Sequence, residues 1–246
     1  MKLTIGFSTL AERVSNIRFP ASEYEYLVLV QNPNGVTYRA PEQASLVEVA
    51  GKGVAKSRNQ AILNTQTDLL IFGDDDVVFH PAQLNQAIKK FEQDPDLALL
   101  LLAAKDETGK PRKQYPTSDQ KLTLFNSARA ATYEMMIRVS QVKQLEVKFD
   151  ERFGAGAELY LGDEYIFISD LIKAGARCEF SPIFVATHPS DSSGERWGTD
   201  TDRKARAAVF DRVFGSGAVF VRLAFGLRRL KMLGGFKQLL LFVIGR

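Results

Sequence analysis

The chain has 246 residues, 45% hydrophobic and 25% charged, a globular composition that excludes a disordered or collagen-like polymer and suffices to bury a core unaided. One cysteine, Cys178, excludes an internal disulfide, and with only two histidines a tetrahedral Cys/His zinc site is excluded as well. The net charge of +3 is uneven: residues 203–246 carry ten basic side chains against one acid, Asp211, so a net acidic body is followed by a basic tail.

The N-terminal Met1-Lys-Leu-Thr-Ile-Gly-Phe7 lacks the apolar run and cleavage site of a signal peptide. No uncharged apolar run reaches the ~18–20 residues of a membrane span, so a cytoplasmic protein is expected. Leu3–Phe7 and Tyr26–Val30 read as strands, the second stopped by the turn chemistry of Gln31–Gly35, and Ser45–Val49 as a weaker third. A helix over Lys56–Leu63 is entered through Gly51-Lys-Gly53. Asp68–Phe72 is a fourth strand ending at Gly73-Asp-Asp-Asp76, Pro81 opens a helix to about Gln93, and Asp96–Ala103 is an apolar strand buried on both faces. Lys105–Ser127 is polar and shows no clear period, a long loop of the kind that carries function. Beyond it the pattern predicts a strand over Ala131–Val139, a short helix over Ser140–Leu145 and a helix over Asp163–Ala174 closed by Gly175. A strand at Arg177–Phe180 and a loop over Thr187–Gly194 follow. Within Ala207–Phe242, apolar residues at three- and four-residue spacing alternate with arginines and lysines, which predicts a basic amphipathic helical tail. Strands alternating with helices argue for an α/β layer structure with a largely parallel sheet over 1–202, with the tail at 203–246. Such sheets bind ligands beyond the carboxyl ends of their strands. Three strands here end in polar groups: Ser8-Thr9, Gln31-Asn32 and Asp74-Asp75-Asp76.

Three adjacent carboxylates repel one another, so a fold that gathers them usually supplies a cation. Residues two apart in extended chain project the same way, so Asp74 and Asp76 can share a divalent ion completed by phosphate oxygens. The plainer alternative is an acidic turn that caps the next helix. Asp163 and Glu164 open a predicted helix, where carboxylates favour the dipole or, held rigidly, take a proton from an acceptor hydroxyl. The glycines of Phe153-Gly-Ala-Gly-Ala157 would let a ligand approach the backbone. His188, in a loop rich in Pro, Ser and Gly, can complete a metal shell with the aspartates, whereas His80 before Pro81 reads as structural. Gly51–Asn59 can offer N–H groups and cations to phosphate, although it matches neither common phosphate-loop spacing. The tail can lie on an anionic membrane or pack on the domain.

The order of these motifs, from about Leu3 to Gly194, resembles the family 2 glycosyltransferases of the GT-A fold, enzymes of bacterial surface glycans. Lys52-Gly-Val-Ala-Lys-Ser-Arg-Asn59 is similar to the family's G-V-x-x-A-R-N helix start, and Leu69-Leu-Ile-Phe-Gly-Asp-Asp-Asp76 to its strand and D-x-D metal motif. Phe149–Gly156, Gly162-Asp-Glu164 and Leu171–Gly175 resemble its acceptor-side segment with the catalytic carboxylate. The resemblance implies a Rossmann-like GT-A domain with a mixed, mostly parallel sheet flanked by helices. It further implies an inverting, metal-dependent transfer from a nucleotide-diphosphate sugar to a hydroxyl of a glycan or lipid-linked acceptor. Asp74 and Asp76 would hold Mn²⁺ or Mg²⁺ against the diphosphate and ribose, with Asp75 beside them on the nucleotide side and His188 as a further ligand. Thr9, Asn32 and Arg58 would contact the nucleotide, and Glu164 or Asp163 would be the base. The order Asp-Glu replaces the commoner Glu-Asp, and Gln31-Asn32 stand where two aspartates are common. Joined to the basic tail, this implies a peripheral enzyme on the inner face of the plasma membrane with no nucleic-acid partner. Two other functions compete. A nucleotidyltransferase would need a glycine-rich basic loop that Ser8–Arg13 does not supply, and intact Asp74, Asp76 and Glu164 argue against a non-catalytic sugar-nucleotide-binding module.

Overall fold

Apolar runs from the first half of the chain become the middle of one sheet. The computed structural model describes residues 1–20, 23–189 and 199–245. Its strands are β1 (Leu3–Leu10), β2 (Glu25–Gln31), β3 (Ser45–Val49), β4 (Leu69–Asp74), β5 (Val78–Phe79), β6 (Leu97–Lys105), β7 (Gln120–Lys121), β8 (Met135–Arg138) and β9 (Arg177–Thr187). They lie in the order β3-β2-β1-β4-β8-β6-β9-β5, with β7 pairing β9. The four strands from β3 to β4 are parallel neighbours, β8 runs antiparallel between β4 and β6, and β6 is parallel to β9. This is the mixed, helix-flanked α/β sheet that the motifs imply.

Alternation along the strands builds two apolar layers. Ile5, Phe7, Val28 and Ile71 join Leu84 and Phe91 of α2 (Pro81–Gln93) in one. Leu29, Leu70 and Phe72 join α1 (Val54–Asn64), α3 (Val139–Gln144) and α4 (Asp163–Lys173) in the other, through Ala61, Val142 and Phe167. With both faces covered, the central strands read as nearly continuous apolar runs. Gly6 lets α1 sit close, since a Cβ there would stand 3.1 Å from Leu70 and 3.3 Å from Ala61.

Several segments depart from their sequence pattern. The expected strand over Ala131–Val139 begins as a 3-10 turn, Thr132–Glu134, and only Met135–Arg138 joins the sheet. The cause is Glu134, whose carboxylate accepts the Ala131 N–H (2.9 Å), the Lys113 ammonium (2.8 Å) and the Tyr115 hydroxyl (2.6 Å), folding the chain back on itself. These bonds also fasten the stretch 105–127, which contributes the short β7. The strand expected at Arg177–Phe180 continues to Thr187. Of the loop expected beyond it, His188 and Pro189 are described, and residues 190–194 lie outside the described residues.

The tail is four helices rather than one. These are α5 (Asp200–Phe214), α6 (Ala218–Arg228), α7 (Leu230–Leu233) and α8 (Phe236–Val243), so the helical region opens within a turn of the expected boundary. Thr199 caps α5, its hydroxyl accepting the Asp202 N–H at 3.1 Å. Gly234 and Gly235, at φ 90° and 108°, turn the chain where other residues would be strained. Helix α8 then packs on α6 at Gly226, where a Cβ would stand 2.4 Å from Leu239. Val209 and Val213 of α5 pack with Phe153, Tyr165 and Ile166 of the body. Much of the basic charge is internal. Arg212 bonds Asp150 (2.9 Å) and Asp170 (2.6 Å), and Arg222 bonds Asp211 (2.5 Å) and the Val243 carbonyl (3.0 Å). Among the described residues no helix is long and apolar enough to cross a membrane.

Candidate active site

Parallel pairing brings the polar strand ends to one edge: β1 sets Leu10 beside Gln31 of β2 and Ser8 beside Asp74 of β4. A cleft of about 1970 Å³ opens there, and Thr9, Gln31, Arg58, Asp74, Asp75, Asp76, Asp163, Glu164 and His188 all line it. The three aspartates have separate surroundings. Asp75 is buried, accepts the Thr9 hydroxyl at 2.7 Å and pairs with Arg13, so it ties the end of β4 to β1. Burial nevertheless raises its pKa against both partners. Asp76 is exposed, and its Oδ1 stands 3.3 Å from His188 Nε2, the contact that chiefly lowers its pKa. Burial raises the pKa of Asp74, with Arg58 opposing and Asp76 reinforcing.

His188 stacks on Tyr133 with ring centroids 4.6 Å apart, and its Nδ1 donates to the Pro189 carbonyl at 2.7 Å. That bond commits Nδ1 as the donor and leaves Nε2 facing a carboxylate. Two lone pairs would repel there, so a proton or a metal cation belongs between Nε2 and Asp76. Burial lowers the pKa of His188 and Asp76 more than restores it. An oxygen donor beside a tautomer-fixed imidazole suits Mn²⁺ or Mg²⁺ when phosphate oxygens fill the remaining positions. Among the described residues no three acidic, Cys or His side chains form a ready metal cluster.

In the same cleft, Gly162 (φ 90°) opens α4 in a left-handed conformation and Asp163 and Glu164 follow in its first turn. Arg58, itself buried, pairs with Asp163 and stands 3.4 Å from Glu164 Oε1, and its guanidinium lies over the Phe149 ring. Thr132 donates to Glu164 Oε1 at 2.7 Å. The two carboxyls are driven apart. Burial, aided by the charge on Glu164, lifts Asp163 to about 7. Burial also acts to raise Glu164, but Arg58 and the Thr132 hydroxyl outweigh it and the pKa falls. Glu164 is thus the carboxylate kept ionised, and Asp163 the one that holds a proton most readily.

Some expected contacts lie elsewhere. The Asn32 side chain closes the turn to Val36, donating to its carbonyl (2.9 Å) and accepting its N–H (2.8 Å), and it does not line the cleft. Its neighbour Gln31 does, bonded to the Gly53 carbonyl at 2.8 Å. Arg58 serves the acidic pair directly. The glycines of 51–53 and 153–157 meet each other and Asp163, because Val54 N–H donates to Ala155 (2.9 Å) and a Cβ at Gly154 would stand 2.7 Å from Asp163. They make room for protein. Thr132, Tyr133 and Arg13 are site residues that the motifs do not single out. Arg13 alone gives a signal, as a cation just past a strand end.

Residues 40–152 match the family model described as Glycosyl transferase family 2. This stretch contains the acidic tip and stops short of Asp163, Glu164 and His188. No curated protein sequence matches the chain. Among solved structures, TarS from S. aureus superposes with TM-score 0.61 at 14% identity, over 94% of this chain and 44% of that one. TarS 1–349 in complex with UDP-GlcNAc gives 0.57 at 16%, over 94% and 73%. A mycobacterial protein gives 0.56 at 11%, over 86% and 74%. This chain therefore spans less than half of the longer TarS chain. Identities this low establish the fold, which is GT-A. Within that class the matched stretch, residues 40–152, resembles the family 2 glycosyltransferases.

Proposed function

We propose that this protein is an inverting, metal-dependent glycosyltransferase that moves a sugar from a nucleotide-diphosphate sugar to a hydroxyl of a glycan or lipid-linked acceptor in bacterial surface-polysaccharide synthesis. One observation carries the reading: a single cleft brings together Asp76, His188 and an ionised Glu164, with adjacent residues Thr132 and Tyr133 contacting Glu164 and His188. TarS bound to UDP-GlcNAc supports a nucleotide-sugar donor for a chain of the same fold.

In this reading Asp74, Asp76 and His188 hold a divalent cation, which as a Lewis acid would offset the charge of the departing diphosphate. Thr9 and Gln31 line the nucleotide end. The acceptor oxygen attacks the anomeric carbon as the bond to the diphosphate oxygen breaks. That oxygen keeps the bonding electrons, and Glu164 takes the acceptor proton. One displacement inverts the anomeric centre. Thr132 and Arg58 hold Glu164 ionised and aimed.

The surface of the tail supports a peripheral membrane enzyme. Val219, Leu223 and Leu227 on α6, and Phe236 and Leu240 on α8 with Ile244 just beyond it, are exposed at four-residue spacing, with Arg228, Arg229, Lys231 and Lys237 nearby in sequence. Apolar stripes with adjacent cations suit an anionic bilayer surface.

The decisive experiment is a thermal-shift screen of UDP-, GDP- and dTDP-sugars with and without Mn²⁺, followed by product analysis with the best donor. At 100-fold excess over Kd a ligand stabilises by about 2.7 kcal/mol, a readily visible shift. A metal-dependent shift that Asp76→Ala abolishes, with a product of inverted anomeric configuration, is expected. No shift with any nucleotide sugar, or an Asp76→Ala protein with full metal-dependent turnover, overturns the reading.

A further inference from the structure

The cleft is larger than a donor requires. Its volume of about 1970 Å³ is roughly twice the ~1,000 Å³ upper range of a site for one small ligand. The acidic tip and β2 account for one end. Another wall is made by the tail. Helix α6 turns Phe220, Val221, Ala224, Phe225 and Arg228 to the cleft, and Arg229 just beyond it completes adjacent pairs recurring every four residues. Phe210 of α5 extends the aromatic surface, its ring 5.0 Å from that of Phe225 and 6.1 Å from that of Phe214.

The chemistry of this wall is narrow. Helices α5 to α7 give the cleft apolar side chains and arginines, with no carboxylate, amide or hydroxyl. A bare glycan is recognised by directional hydrogen bonds to such groups, which fix its orientation. Here an apolar surface leads to guanidinium groups, the side chain best shaped for phosphate. Arg228 is exposed, with no hydrogen bond or ion pair among the described residues, and Arg229 has only a 3.7 Å contact with the Met232 sulfur. On the rest of α6, Ala218, Gly226 and the internally paired Arg222 face inward, and Val219, Leu223 and Leu227 are exposed.

We infer that this wall is the acceptor subsite and that it takes an amphiphile, a hydroxyl-bearing head joined through phosphate to a long apolar chain. The chain lies along α6 and leaves over its exposed apolar face. The phosphate meets Arg228 and Arg229, and the head occupies the part of the cleft that Glu164 lines. The identity of the head as a sugar acceptor rests on the glycosyltransferase reading, whereas recognition of phosphate plus chain does not.

The test uses the full chain and isothermal titration with decyl phosphate below its micelle concentration, against decanol and inorganic phosphate, with UDP, GDP and dTDP titrated separately in the presence of Mn²⁺. Decyl phosphate should bind about tenfold or more tighter than either half alone, since chain burial and charge act together. Arg228→Glu and Ala224→Trp, both at exposed positions, should each weaken it by about tenfold or more and leave UDP binding and the melting temperature unchanged. The inference is overturned if decyl phosphate binds no better than phosphate or decanol, or if neither variant weakens it. UDP binding without decyl phosphate binding removes the amphiphile site alone. Decyl phosphate binding that both variants weaken, with no binding of UDP, GDP or dTDP in the presence of Mn²⁺, keeps that site and removes the transferase.

Discussion

With its hydroxyl 2.7 Å from Glu164 Oε1, Thr132 leaves the other carboxylate oxygen to meet a substrate proton. Asp163, buried and paired with Arg58, has no comparable freedom. Glu164→Gln is therefore expected to lower kcat by about 10²–10⁴ while the donor KM stays within a few-fold. Thr132→Val should cost about tenfold through the same carboxylate. Initial rates at saturating donor distinguish the two. Asp163 also predicts a pH effect on stability. Its carboxyl is raised from 3.8 to about 7, so across that interval the folded chain holds a proton that the unfolded chain has released. Its contribution is complete below the unfolded value and is lost as pH rises through the folded one. Asp163→Asn should flatten this slope, narrowing the difference in melting temperature between pH 5 and pH 8. Asp74, Asp76, His188 and Glu164 could be picked out as candidates because each stands at or beside an element end that a largely parallel sheet turns to one edge, although capping and the helix dipole offer such carboxylates a structural use as well. Thr132 could not, since its partner is 32 residues away and their meeting depends on how the chain turns into β8.

At the scale of elements, periodicity located β1, β2, β4, α1, α2 and α4 because each buries a face against one sheet. It failed where side-chain bonds set the backbone. Glu134 bends residues 131–134 out of the strand their apolar content suggests. Paired glycines likewise divide the tail, whose spacing alone reads as one continuous helix. Helix α5 is fastened by Arg212, which grips Asp170 with two guanidinium nitrogens at 3.0 and 2.6 Å while Nε holds Asp150. Arg212→Ala should lower the melting temperature by about 4 °C. Arg212→Lys should recover only part of the loss, because an ammonium cannot make the forked contact. The grip is complete at neutral pH and weakens on acidification, since Arg152 and Arg212 hold the Asp150 carboxyl below its ordinary range.

For the whole molecule, the split between an acidic body and a basic tail suggests more free positive charge than the fold leaves. Arg212 and Arg222 are engaged internally, and within the tail Arg228, Lys231 and Lys237 on α6, α7 and α8 stay exposed. If those helices meet a bilayer, the protein should sediment with vesicles containing anionic lipid, less so as salt rises, and weakly with neutral vesicles. Replacing Leu223, Leu227 and Leu240 with serine should release it. Retention in the supernatant with anionic vesicles at low salt would leave these stripes without a membrane role.

Val209 seats against Gly162, where a Cβ would meet it at 2.4 Å, one residue ahead of the acidic pair. The last quarter of the chain thus shields the proton-handling end of α4 from water. A fragment ending at residue 198 would keep every group named in the proposed chemistry and yet wet that end. The minimal working unit consequently includes the helices that look dispensable, and trimming them to gain solubility would quench turnover at its source.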